Sequence, residues 1–433
     1  MNPRFTRKGA TGRRGLTARA ALAVLLASGM TLGATTLATP AFAKDKKDAK
    51  AEGNSKAFAQ AYEPFLAIIN NPSGDFASAK AMIPTIQASL QNGADKNTFG
   101  RALIALGTKL KDPALQQQGI QLALDGGQVA PEQVGMFHFF LGKFAYDAKN
   151  YAEARTQFLA AQQAGYTEND PRAAIAETYF NGGQPAEGLK YLGDAIRQEQ
   201  TAGRQAPVDW IRRGLAVAYQ AKLAPQATEF STMLVKADPS QKSWLQSLQV
   251  VRALNRFDAA EDLDLLRLMR VTGALSDRSE YVAYVQAADP RRSAGEVLAV
   301  LDDGVKAGKL TTSDQVYTEA KASATPRVAS DRKDAPVLAA DAKAAANGIT
   351  AQGAGDAYYS FGDYAHAAEM YKLAVDKGGL KDRDLTLTRL GIAQAQAGQL
   401  AEAKATLQQV TGVRAPIARM WLAYVESKGA AAA

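Results

Sequence analysis

One interval, 34 to 36 residues, recurs along this chain and leaves few folds open to it. Reading forward from Gly142, small residues return at Ala154 and Ala161 with Phe158 between them. A shift of 34 finds Ala176, Gly188, Leu192 and Ala195. Gly355, Tyr358, Ala367, Tyr371 and Ala374 keep the same internal spacing, and a shift of 36 gives Gly391, Gln394, Ala403, Leu407 and Val410. Looser copies start at Trp210 with Gly214, at Trp244 with Leu248, and at Tyr281 with Val285, Val297 and Leu301. Two antiparallel helices that cross closely need small side chains where the backbones approach and large ones a turn away to fill the grooves. One such pair cannot bury both its faces, so the copies must stack.

Ala-rich amphipathic runs broken by Gly, Pro, Asn or Asp, with no strand-period alternation, agree with an all-α chain. The best copies are Leu141-Gly142 … Ala154 … Phe158 … Ala161, Gly355 … Tyr358 … Ala367 … Tyr371 … Ala374, and Leu390-Gly391 … Ala403 … Leu407. Their order of small, aromatic and alanine positions resembles the tetratricopeptide repeat. The resemblance implies an α–α superhelix, a solenoid of helical hairpins in two repeat segments. The expected layout is a signal peptide over 1–43, a disordered lead-in over 44–56, an N-terminal array over 57–310 with its clearest repeats in 135–202, an irregular helical connector over 311–347, a C-terminal array with a capping helix over 348–428, and a tail over 429–433.

The formal charge of +8 suggests nucleic acid, but its location argues otherwise. Arg4, Arg7, Lys8, Arg13, Arg14 and Arg19 precede an apolar stretch from Ala20 to Leu37 and the A-x-A site Ala41-Phe42-Ala43, the layout of a secretory signal. Taking those six from the 51 Lys and Arg leaves 45 against 43 Asp and Glu, too even for a phosphate-backbone binder. Gly29, Gly33 and three threonines dilute the apolar stretch, so cleavage is expected, with no integral membrane span afterwards. Ordinary export is favoured over a twin-arginine route, and the periplasm over the medium. The chain has no cysteine, which removes disulfides, a lipidated N-terminal cysteine and thiolate metal sites.

Catalytic patterns are missing. His138 and His366 are the whole histidine supply, with no HExxH, no G-x-S-x-G and no P-loop. No catalytic, metal or cofactor site is expected, and His138 is read as packed or half-buried. The run SFGDYAHAAEMYKLA (360–374) is read as a turn at Gly362-Asp363 entering a second helix, with His366 at the solvent edge. EDLDLLRLMR (261–270) is read as a solvated charged face beside buried leucines. FHFFLGKFAY (137–146) is expected to split between core and groove.

The resemblance further implies that first-helix side chains line a concave groove for a protein or peptide. By register these are Phe139, Lys143, Tyr146, Glu177, Phe180, Asn181, Asp356 and Tyr359, the mix of aromatic and charged groups that interface hot spots favour. The reading is a non-catalytic exported binding or scaffold protein of the cell envelope. A cell-wall polysaccharide-active enzyme and a self-associating structural component are the alternatives.

Overall fold

The computed structural model describes residues 52–432 (side chains 52–429) as twenty α-helices and one 3₁₀ turn, with no strand among them. The expected signal peptide and most of the lead-in lie outside the described residues. The chain divides into two compact units at Gln184/Pro185.

Unit 1 contains α1 (Lys56–Asn70), α2 (Phe76–Ala88), α3 (Gly93–Leu110), α4 (Pro113–Asp125), α5 (Pro131–Asp147), α6 (Tyr151–Gln163) and α7 (Pro171–Asn181). Side-chain caps set most starts: Ser55, Asp75, Asn92, Asp112, Asn150 and Asp170 each accept from the first-turn backbone. Phe58, Phe65 and Phe99 are fully buried and form the centre of the N-terminal core. Each is worth roughly 2–3 kcal/mol of burial. Between α3 and α4 the backbones themselves touch, since a Cβ on Gly100 would lie 2.5 Å from the Gly119 carbonyl.

Unit 2 holds α8 (Pro185–Thr201), α9 (Val208–Gln220), α10 (Ala224–Ala237), α11 (Gln241–Leu254), α12 (Ala259–Val271), α13 (Arg278–Ala288), α14 (Ala294–Lys306) and α15 (Gln315–Ala344). It continues with α16 (Ile349–Ser360), α17 (Tyr364–Lys377), α18 (Arg383–Gln396), α19 (Leu400–Leu407), the 3₁₀ turn Gly412–Arg414 and α20 (Ala415–Ala432). The hairpins are α9/α10, α11/α12, α13/α14, α16/α17 and α18/α19. The recurring spacing has a direct packing cause. A Cβ on Gly142 would sit 2.7 Å from the Phe158 ring, and one on Gly355 2.7 Å from the Tyr371 ring; Gly214 with Phe230 and Gly391 with Leu407 repeat the contact.

Three expectations about organisation change. The connector is one continuous helix, α15: nine alanines in thirty residues hold it helical although Pro326 and Pro336 each remove one backbone bond. The tail continues α20 as far as Ala432. The chain also does not divide at 311–347. One hydrophobic core runs from Val235 to Val425, because the array after α15 folds back onto the array before it. First helices α16 and α18, with α20, lie against second helices α14, α12 and α10. Gly295 N donates to Ser360 Oγ (3.1 Å), the Arg267 guanidinium lies 4.1 Å from the Tyr359 ring centre, and Lys236 Nζ meets Glu426 Oε2 at 2.8 Å.

Candidate functional site

The run 360–374 has the expected form. Gly362 takes a left-handed φ of 76°, and Asp363 caps α17 by accepting from His366 N. Ala367, Tyr371 and Ala374 are fully buried. The His366 ring stacks on Tyr358 and pairs with Asp363 at 2.8 Å, its side chain 56% exposed. His138 is half-buried, with Nδ1 2.7 Å from Gln157 Oε1.

In unit 1 the groove positions separate. Tyr146 OH accepts a 2.8 Å hydrogen bond from Asn181 Nδ2, which joins the first helices α5 and α7 across 35 residues of sequence. Asn181 Nδ2 also reaches the Glu177 carbonyl at 2.9 Å and its Oε2 at 3.3 Å. One turn before Tyr146, Lys143 holds Asp147 at 3.3 Å in an exposed i,i+4 pair. Phe180 is half-buried beside them. Phe139 does not join this strip. Its ring packs on Phe158 (5.3 Å) and Tyr166 (5.1 Å), because it lies one turn before Gly142 on the face that meets α6. In the aromatic run, Phe137 and Phe140 are core, while Phe139, Phe144 and Tyr146 are half-buried.

In unit 2 the groove positions are already occupied by the chain. Tyr359 is 4% exposed and lies beneath Arg267 of α12. Asp356 Oδ1 accepts from Tyr371 OH and from Arg389 Nη1, each at 2.6 Å. Tyr359 is covered by α12 and α14 apart from a small cleft, whereas Asp356 stays about one-third exposed and is held by α17 and α18.

Beside Tyr359 lies a largely buried charge network. The buried carboxylates of Asp264 and Glu296, with the part-exposed Asp356 at its edge, meet the guanidiniums of Arg267, Arg389 and Arg414. Arg267 grips Glu296 through two bonds of 2.8 and 2.7 Å and Asp264 through one of 2.9 Å. Arg414 Nη1 reaches the other Asp264 oxygen at 2.7 Å, and Trp421 Nε1 donates to the Asp264 carbonyl at 2.9 Å. Tyr284 OH completes Glu296 at 2.7 Å. Arg389 Nε stays 3.6 Å from Asp264, an ion pair without a hydrogen bond. Burial alone would raise the Glu296 carboxyl, but Arg267 and Tyr284 hold it below its ordinary value. Desolvation acts against the Arg267 cation, and its two carboxylates more than offset this.

The reading of 261–270 as a solvated face is therefore corrected. Glu261 closes a capping box with Asp258, Asp262 binds Arg252 through two 2.7 Å bonds, Asp264 and Arg267 are buried, and Arg270 holds Asp303 at 2.8 Å. Leu263, Leu265, Leu266, Leu268 and Met269 are all buried. They surround the helix, and a helix that is apolar all round has no face for water. That signal was available in the sequence. Arg389, Arg414 and Trp421 gave none, since each acts on a residue far away in the chain.

Among the described residues no three His, Cys, Asp or Glu side chains gather as a metal site, and no helix is long and apolar enough to cross a membrane. No family model and no curated protein sequence matches the chain. Among solved structures, it is similar to a chain in "Structure of Naa15/Naa10 bound to HypK-THB", with a TM-score of 0.31 and 13% identity over 79% of this chain and 61% of that one. The chain thus spans about three-fifths of that neighbour's length.

Proposed function

We propose that this chain is an exported, non-catalytic scaffold of the cell envelope, held in the periplasm, that binds a protein or peptide partner on the first-helix strip of unit 1. The Tyr146–Asn181 bond carries the reading: it links two successive first helices and gathers Lys143, Tyr146, Glu177 and Asn181 on one surface. A stacked-hairpin solenoid supports it, because such arrays present long surfaces suited to extended partners. The C-terminal first helices are set aside for the chain's own fold, which leaves unit 1 as the face for recognition.

Photo-crosslinking side chains placed at 143 and 177, with a control at the exposed Thr156 of α6, test this in intact cells. The expected result is one partner captured at 143 and 177, absent at 156, and lost on Tyr146→Phe. Equal labelling at all three positions would remove the strip as the site. Recovery of the chain solely from the cytoplasm would remove the export.

A further inference from the structure

Where α14, α15 and the α16–α17 turn meet, unit 2 encloses a cleft of about 270 Å³. Leu298 and Val328 give it apolar walls, Phe361 and Tyr364 aromatic ones, and Arg270 and Arg332 bring positive charge. At roughly 30 Å³ per water of the liquid, that is the space of about nine waters, suited to a small organic molecule.

The polar groups around it are unequal. Glu296 borders the cleft, but Arg267 and Tyr284 take both its oxygens. Arg270 is held by Asp303. Arg332 is different: it is exposed, lies 5.5 Å from the Phe361 ring centre, and meets no carboxylate among the described residues. Tyr359 also lines the cleft. The residue is 4% exposed, and its hydroxyl makes no hydrogen bond to another described residue. Burial also holds this phenol well above its ordinary range, so it remains a neutral O–H donor.

A guanidinium with no carboxylate beside it, a phenol O–H without a protein partner and apolar walls form a complementary set. We propose that the cleft binds a small organic monocarboxylate with an apolar group. The carboxylate accepts from Arg332 and the Tyr359 and Tyr364 hydroxyls, and the apolar part lies on Leu298, Val328 and Phe361. Such a ligand touches α14, α15 and the α16–α17 turn at once, so it strengthens the fold-back of unit 2.

Phenylacetate and its neutral analogue phenylacetamide, titrated into the full chain by calorimetry, test the site. The expected result is saturable binding of the acid alone, with a rise in the unfolding temperature. Arg332→Gln weakens binding by about tenfold or more, as for a lost bond to a charged group. Arg327→Gln, an exposed arginine of the same helix outside the cleft, leaves it unchanged. Leu298→Trp, which fills the cleft, abolishes it. Failure of phenylacetate to saturate the wild-type chain, equal binding of the amide, or an unchanged affinity in both Arg332→Gln and Leu298→Trp would overturn the proposal.

Discussion

The two units use the same hairpin differently. In unit 1, the hydrophobic clusters lie between neighbouring helices, and polar groups mainly cap helix ends or decorate surfaces. In unit 2, the array bends back through α15, and residues 150 apart in sequence share a buried ion pair between Asp264 and Arg414. A stack of nearest neighbours has a stability near the sum of its parts. A folded-back stack cannot lose one hairpin without exposing the face opposite. Buried charge is weak evidence for net stability, since desolvation can exceed the attraction. Its value here is register: a slip of α18 or α20 along α12 strands several charges at once.

The sharpest way to break the comparison is Asp264→Ala. It leaves Arg267, Arg389 and Arg414 without their shared carboxylate, and removing one partner of a buried pair costs about 3–5 kcal/mol. Hydrogen exchange read by mass spectrometry should show faster exchange across α10–α20 and unchanged rates in α1–α6. An effect confined to α12, or one spread equally over both units, would contradict the contrast.

Matched glycine substitutions sharpen it. Gly142→Ala presses a methyl on Phe158 and Gly391→Ala presses one on Leu407, each costing about 1–3 kcal/mol. The first should loosen α5 and α6 locally, while the second should also raise exchange in α12. Identical local footprints would show that the fold-back adds no cooperativity.

Much of the hairpin level was legible because its rules are local. Gly142 with Phe158 and Gly355 with Tyr371 sit sixteen residues apart and show the close crossing directly. The fold-back was not legible, since a contact such as Arg414 with Asp264 leaves no periodic trace. α12 did leave one in its all-round leucines. Among the expected groove residues, Tyr146, Glu177 and Asn181 lie together on neighbouring first helices. Register could not show that α12 and α14 cover Tyr359, or that Phe139 turns into the α6 contact.

Smaller effects follow from acid and from the surface. Burial works against the Glu296 carboxylate, but the Arg267 guanidinium and the Tyr284 hydroxyl hold its carboxyl below the ordinary glutamate value in the fold. Its contribution is therefore present above the unfolded value and lost as pH falls through the folded one. Unfolding curves of wild type and Glu296→Gln should converge as pH falls below the ordinary glutamate range, with the wild type more stable at neutral pH. A gap that widens in acid would reverse the sign of this account. His366→Ala, at the exposed turn, should change stability by no more than about 0.5 kcal/mol in a thermal melt. A larger loss would restore the cluster around Asp363 as more than a turn.

The fold-back can be measured by proximity, because the chain has no cysteine of its own. Cysteines at positions 236 and 426, whose native side chains form a half-exposed 2.8 Å ion pair, place one thiol on α10 and one on α20. A short bis-maleimide should link them within a single chain at high yield, and Asp264→Ala should lower that yield. No intramolecular link, or only cross-linked dimers, would show that the C-terminal array stands free and that its first-helix face is open after all.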